Sequence, residues 1–190
     1  MPSHFILGVI AGIVSFSFYF FYIVSILRGE SKPEKETWWV LSIVGICIAL
    51  SYFYSGARST MWIPLGESVG PLIIALLSIK YGEVESVKVE KFSLLGVLCG
   101  SLLWVLFKSP TVALVSFVSI DFLGILPTIH KSYYEPHTEN FISWFLAFIA
   151  CIINLFAIET LSFSLFIYPV YALLVNLTIV IFISKRKVLL

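Results

Sequence analysis

The chain of 190 residues is 59% hydrophobic and only 12% charged, and its mean hydropathy is +1.02. A soluble domain is about half apolar and about one quarter charged, so this composition excludes an ordinary water-soluble domain and indicates an integral membrane protein. The net charge of +1 argues against a nucleic-acid partner, which would need a clustered basic face.

Seven segments approach the roughly 20 mainly apolar residues that a spanning helix needs. In chain order they are residues 4–27, 37–55, 62–79, 92–107, 110–128, 141–158 and 161–183. The first segment lacks a basic leading region, and its apolar run is too long for the core of a signal peptide. It is therefore predicted to be a retained first span.

The distribution of Lys and Arg over the connectors predicts the orientation, because these residues determine membrane topology. One side of the predicted membrane has only Arg58 and Lys108. The other side collects ten basic residues: Arg28, Lys32, Lys35, Lys80, Lys88, Lys91, Lys131, Lys185, Arg186 and Lys187. This bias predicts a protein of the cell membrane or inner membrane, with its N-terminus outside and its C-terminus in the cytoplasm.

The chain also matches itself when it is shifted by 105 residues. The rare residues are the most informative, since Trp39 falls on Trp144 and Pro64 on Pro169. Two acidic pairs also coincide: Glu30 with Glu135, and Glu34 with Glu139.

The shift maps the first three spans onto the last three, with four spans between equivalent helices. The predicted fold is therefore an all-α membrane protein of seven transmembrane helices, in which two parallel three-helix repeats are joined by an inverting linker helix. The first repeat covers residues 1–80, the cytoplasmic loop and linker helix cover 81–109, and the second repeat and tail cover 110–190.

The stretch LPTIHKSYYEPHTENFISW, residues 126–144, resembles the PQ-loop motif of the SWEET, cystinosin and KDEL-receptor superfamily. In that motif a proline near the cytoplasmic end of one helix is followed by a basic and aromatic turn and then by the next helix. The residues that carry the resemblance here are Pro127, Lys131, Tyr133, Thr138 and Glu139.

This sequence departs from the motif at defined positions. Thr128 replaces the glutamine of the family name, and Tyr22 and Ile23 replace the proline–glutamine pair in the first repeat. The resemblance implies a SWEET-like transporter that moves a small polar solute by alternating access. The candidate hinges are Pro127, Pro64 and Pro169.

Two acidic residues lie inside predicted spans, where ionisable groups are costly and indicate function by default. They are Asp121 in the fifth span and Glu67 in the third, and their repeat partners are Phe16 and Ala172. One interpretation is that one or both bind protons during transport and couple it to a proton gradient. The alternative is a structural role, in which a protonated acid hydrogen-bonds a backbone carbonyl beside a proline.

The candidate substrate-binding residues are Asn176, Asn154, Glu67 and Tyr52. The resemblance to SWEETs, which hold the solute with an asparagine on each of the third and seventh spans, implies this role for Asn176. Buried amides also join helices by hydrogen bonds, and an aromatic belt at the membrane surface would equally explain Tyr52.

No enzyme, cofactor or metal site is predicted. The cysteines Cys47, Cys99 and Cys151 fall inside apolar runs and are interpreted as small hydrophobic packing residues. The expected partners are a small-molecule solute and the lipid bilayer. The alternative function is a receptor or sensor of the same fold that binds a ligand without transport, and it is ranked lower because the span interiors lack Lys and Arg.

Three pairs of glycines at i, i+4 spacing predict close helix contacts. They are Gly8 with Gly12, Gly66 with Gly70, and Gly96 with Gly100. Such pairs pack helices within one chain or form the face of a homo-oligomer, and the sequence leaves both open.

Overall fold

The structure is a computed structural model that describes residues 2–83, 102 and 105–185. These ranges contain six α-helices: α1 (Pro2–Leu27), α2 (Lys35–Tyr54), α3 (Trp62–Tyr81), α4 (Pro110–Tyr134), α5 (Phe141–Phe156) and α6 (Phe163–Lys185). Short 3-10 helices at Ser59–Met61 and Pro136–Thr138 precede α3 and α5. Most of the predicted fourth span lies outside the described residues, together with Lys88, Lys91, Gly96, Cys99 and Gly100. Arg186 and Lys187 also lie outside them.

The all-helical prediction is confirmed for the described residues. Five segments are long and apolar enough to cross a membrane, with mean hydropathies between 1.6 and 2.3. They are Ser3–Leu27, Thr37–Tyr54, Ser59–Tyr81, Pro110–Tyr134 and Phe163–Lys185. The sixth helix, α5, is equally apolar in character but has only 16 residues.

The distribution of side chains fits a hydrocarbon environment. Large apolar side chains point away from the bundle on every helix, and examples are Phe20, Ile79 and Leu174, which are 64%, 59% and 56% exposed. Some charged and amide side chains, in contrast, are buried inside the bundle, namely those of Glu34, Lys131, Glu139, Asn154 and Asn176. A bundle in water would reverse this arrangement, because apolar surface is driven out of water.

The six helices pack as a closed ring. Each helix packs mainly against two others, and the order around the ring is α1, α3, α2, α4, α6, α5 and back to α1. Shifting the chain by 105 residues replaces α1, α2 and α3 with α4, α5 and α6. When each helix is exchanged for its repeat partner, the order around the ring stays the same. Each helix contact in one half therefore has a counterpart in the other.

Glycines allow the closest approach within this ring, between α1 and the start of α3. A Cβ atom on Gly8 would overlap the carbonyl oxygen of Ser59, and one on Gly12 would lie 2.6 Å from the Cβ of Trp62. On α3, a Cβ on Gly70 would overlap the ring of Tyr19. These three glycines are therefore used by contacts within the chain.

A substitution at Gly8 tests this packing. We expect Gly8→Ala to destabilise the protein by about 1–3 kcal/mol, as overpacking usually does, because backbone atoms of Ser59 cannot move aside easily. Thermal unfolding of the detergent-purified protein measures the effect.

Gly66→Ala is the matched control. An added Cβ would meet only the Phe16 ring at 3.5 Å, an ordinary contact, and alanine is favoured over glycine in a helix by about 1 kcal/mol. Equal melting temperatures for the two variants would contradict the close approach at Gly8.

Candidate functional site

The ring of helices encloses a central cavity to which all six helices contribute. The cavity volume, taken as the space that the centre of a water molecule can occupy, is about 80 Å³. One buried water needs roughly 10–15 Å³ by the same measure. The cavity therefore has room for several waters or a small polar group. Its lining includes the predicted site residues Glu67, Asp121 and Asn176.

The carboxyl group of Glu67 is held by a tyrosine from the opposite repeat. The Tyr168 hydroxyl on α6 donates a short hydrogen bond to Oε2 of Glu67 on α3. The neighbouring α2 approaches the same place through Gly45, where a Cβ would overlap the carbonyl oxygen of Glu67. Three helices thus fix the position of this acid at the cavity wall.

Asp121 has an equivalent arrangement on α4. The Tyr171 hydroxyl donates to Oδ2 of Asp121 at 2.5 Å. Tyr168 and Tyr171 are three residues apart on α6, so they lie on one face of that helix. Both predicted acids are therefore bonded to tyrosines of a single helix face, and neither hydrogen bond involves the backbone carbonyl that the structural alternative required.

Asn176 lies on the same helix, one turn further along. Its Nδ2 donates to the carbonyl oxygen of Ala172 at 2.8 Å and contacts Sγ of Cys151 at 3.7 Å. The side chain is 8% exposed and lines the cavity. Its position is compatible with the predicted contact to a solute.

The other two predicted binding residues lie outside the cavity lining. Tyr52 is fully buried, and its hydroxyl donates to the carbonyl oxygen of Leu165 at 3.0 Å and pairs with Thr60 at 2.8 Å. It therefore ties the end of α2 to the start of α6. Asn154 is 1% exposed near the end of α5, and its side chain is also absent from the lining.

The candidate hinge prolines occupy different helix positions. Pro127 and Pro169 lie inside α4 and α6, where proline removes a backbone hydrogen bond. Pro64 lies in the first turn of α3, where a backbone N–H has no carbonyl acceptor within the helix, so the proline removes no helical hydrogen bond there. The interior proline of α3 is Pro71, which lines the cavity and is the repeat partner of Asn176.

A buried ionic cluster lies at one end of the bundle, where α4 connects to α5. Its centre is Lys131, whose Nζ lies 3.4 Å from Oε1 of Glu34, 3.7 Å from Oε1 of Glu139 and 3.8 Å from Oε2 of Glu83. The same Nζ donates to the backbone carbonyl of Lys32. Lys131, Glu34 and Glu139 are 4%, 3% and 6% exposed, so in this lysine cluster one lysine meets two buried carboxyl groups largely without water, whereas Glu83 is also paired with Nζ of Lys32 at 2.7 Å.

An aromatic layer separates the lysine cluster from the cavity. Oε2 of Glu139 accepts hydrogen bonds from the Tyr22 hydroxyl at 2.8 Å and from Nε1 of Trp144 at 2.9 Å. The Tyr22 ring lies 5.2 Å from the Trp38 ring, and Phe18 lies 5.1 Å from Trp144 between centroids. Phe18, Trp38 and Trp144 line the cavity, so the aromatic layer and the lysine cluster close it at this end.

Sequence reasoning assigned Lys131 and Glu139 only to a loop motif and did not predict the cluster. Nor did it predict the hydrogen bonds from Tyr168 and Tyr171 to the two acids. One signal was available: Glu34 and Glu139 are repeat partners, and two equivalent buried acids need a positive charge between them. Nothing in the sequence pointed to Glu83.

No family model, curated protein or solved structure matches this chain. Among the described residues, no group of three or more His, Cys, Asp or Glu side chains is placed to hold a metal ion. What the described part of the chain defines is a helical bundle, apolar outside, around an acidic and aromatic cavity.

Replacing Lys131 tests the lysine cluster. We expect Lys131→Met to destabilise the protein by about 3–5 kcal/mol, because removal of one partner leaves buried carboxylates without compensation. Unfolding of the purified protein by heat or denaturant measures this loss.

Two further variants make the result specific. Lys80→Met removes an exposed lysine that lies over the Tyr81 ring, and we expect a change within about 0.5 kcal/mol. Adding Glu139→Gln to Lys131→Met should recover part of the lost stability, because it removes one uncompensated charge. Additive losses would exclude the proposed coupling of the two residues.

A second prediction concerns pH. Burial raises the pKa of Glu139 above its ordinary value of 4.5, although Lys131, Trp144 and Tyr22 oppose the shift. A raised pKa means that this group's contribution to stability is complete below pH 4.5 and is lost as the pH rises through the raised pKa. Relative to Glu139→Gln, the wild type should lose stability between pH 4.5 and the raised pKa, and a pH-independent difference in melting temperature would refute this.

Proposed function

We propose that the protein is a membrane transporter for a small polar solute that works by alternating access between two triple-helix bundles. The observation that carries the proposal is the central cavity, where two carboxyl groups and an amide are gathered in an otherwise apolar bundle. Polar groups are expensive inside a membrane and mark solute or ion pathways. The resemblance to SWEET-like PQ-loop transporters supports the same function.

The packing of the helices supports the seven-helix arrangement of two parallel repeats. The bundle α1–α3 and the bundle α4–α6 meet through two equivalent contacts, α1 with α5 and α2 with α4. In this proposal the linker helix belongs to the predicted segment 81–109, most of which lies outside the described residues. The cavity then lies at the interface of the repeats, where transporters built from such repeats bind their solutes.

Contacts between the bundles lie at both ends of the cavity. At the lysine-cluster end, Lys131 of the second bundle contacts Glu34 of the first, and the backbone N–H of Lys32 donates to the carbonyl oxygen of Thr138 at 3.1 Å. At the opposite end, Tyr52 bonds the backbone of Leu165.

A second contact adds to the closure at the Tyr52 end, where the Ser59 hydroxyl donates to Oε1 of Glu159. Alternating access requires one set of these contacts to break while the other set remains. From the distribution of Lys and Arg, the lysine-cluster end faces the cytoplasm in this proposal.

Asp121 and Glu67 are the proposed proton-coupling groups. Each lines the cavity and accepts a hydrogen bond from a tyrosine hydroxyl. Proton binding would remove the negative charge that this hydroxyl stabilises and so change the field in the cavity. None of the described residues that line the cavity is Lys or Arg, which disfavours a receptor for an anionic peptide tail.

Solute binding is tested first by thermal shift of the detergent-purified protein against sugars, amino acids, nucleosides, vitamins and carboxylates at pH 5.5 and 7.5. A ligand at a hundredfold excess over its Kd stabilises the folded state by roughly 2.7 kcal/mol. A hit should weaken in Asn176→Ala and be unchanged in Glu30→Gln, which alters an exposed connector residue. Uptake into liposomes then separates a transporter from a receptor, since binding without flux would favour the receptor.

Proton coupling has its own test in the same liposomes. We expect Asp121→Asn to abolish the pH dependence of uptake, because the amide cannot bind and release a proton. Glu30→Gln serves as the control for loss of one negative charge outside the cavity. Unchanged pH dependence in Asp121→Asn would remove this role from Asp121.

A further inference from the structure

The side chains around the cavity have an unbalanced charge. Glu67 and Asp121 contribute two carboxyl groups, whereas Lys, Arg and His are absent from the described lining. A buried carboxylate gains a compensating positive charge or hydrogen bonds, or it takes up a proton, because its transfer out of water is costly. Among the described residues, the side chains that donate hydrogen bonds to these two acids are the neutral hydroxyls of Tyr168 and Tyr171.

The nearest buried cation does not supply this charge. Lys131 lies beyond the aromatic layer and is already within 4 Å of three other carboxylates. The aromatic layer and the tyrosines add six rings to the lining: Phe18, Tyr19, Trp38, Trp144, Tyr168 and Tyr171. The faces of such rings attract cations, and recognition of ammonium ligands commonly combines several of them.

We propose that the solute is a small organic cation with an ammonium or guanidinium group. This inference rests on the proposed transport function and specifies its substrate class. The positive group lies between the carboxyls of Glu67 and Asp121 and against the aromatic rings. An anionic solute would meet like charge there, and a neutral sugar would leave the two carboxyls to be neutralised by protons alone.

The experiment compares cations with neutral molecules of nearly the same shape. One pair is choline and 3,3-dimethyl-1-butanol, in which a carbon atom replaces the charged nitrogen. The second pair is arginine and citrulline, in which a neutral ureido group replaces the guanidinium. Glucose and glutamate represent neutral and anionic solutes. Thermal shift and isothermal titration of the wild-type protein at pH 7.5 measure binding.

We expect at least one cation to bind at least tenfold more tightly than its neutral counterpart, which corresponds to about 1.4 kcal/mol. Asp121→Asn and Glu67→Gln, each tested alone, should weaken that cation roughly tenfold, while Glu30→Gln should leave its affinity unchanged. Size-exclusion profiles establish that each variant is folded. The comparison within each pair uses only the wild type, so it remains decisive if a variant does not fold.

The possible failures are distinguishable. Equal binding of charged and neutral partners, or binding of glucose alone, would overturn the cation proposal and leave the transport function standing. If neither cation binds, the cation proposal is also overturned. The transport function itself falls only if the broader panel of solutes shows neither binding nor flux.

Discussion

The burial of Lys131 among carboxylates is the interaction on which the arrangement of the two helix bundles depends. This lysine comes from the second bundle, but Glu34 and Glu83 belong to the part of the chain that precedes α4, and only Glu139 is close to it in sequence. A buried ion pair is not necessarily stabilising in comparison with an apolar contact of the same size. Its geometric demand is nevertheless strict, because separation of the bundles would leave each charge without its partner. The lysine cluster therefore defines one closed state of the bundle.

The repeat explains why this interaction can exist in a chain with so few charges. Glu34 and Glu139 occupy equivalent positions in the two halves, each just before a helix. A symmetric pair of bundles brings these two positions toward the common axis, where like charges would repel. Lys131 resolves the repulsion, and its own repeat partner is the apolar Ile26. The two equivalent acids therefore share a base that has no counterpart in the first repeat.

Much of the architecture was predictable because hydropathy and helix length are local properties. The predicted third and sixth spans begin at Trp62 and Phe141, where α3 and α5 begin in the structure. Asp121, Glu67 and Asn176 were singled out because a polar group in a long apolar run has few places to lie except the interior, and all three line the cavity. The sequence contained no comparable signal for the partners of these groups. Which tyrosine meets which acid depends on the rotation of each helix and on the order of the ring.

The same limits explain the positions of Tyr52 and Asn154. Their residue types, a tyrosine and an amide within a span, suggested a contact with solute, but such a side chain can face the centre of the ring or a neighbouring helix. Tyr52 faces the end of α6 and holds the two bundles together there. Hydropathy is insensitive to this difference, since both faces are buried.

The two sets of buried acids have different partners, one set at the end of the bundle and the other in the cavity. Glu34 and Glu139 approach a lysine, so their charges are compensated by the protein itself. Glu67 and Asp121 meet tyrosine hydroxyls, which orient a carboxylate without cancelling its charge. Compensation within the chain favours a stable closed contact, whereas an uncancelled charge in a cavity favours exchange with a mobile partner. The aromatic layer keeps the two sets apart, and in the proposed transport function that separation would let one end of the bundle remain closed while a cation or a proton enters the cavity.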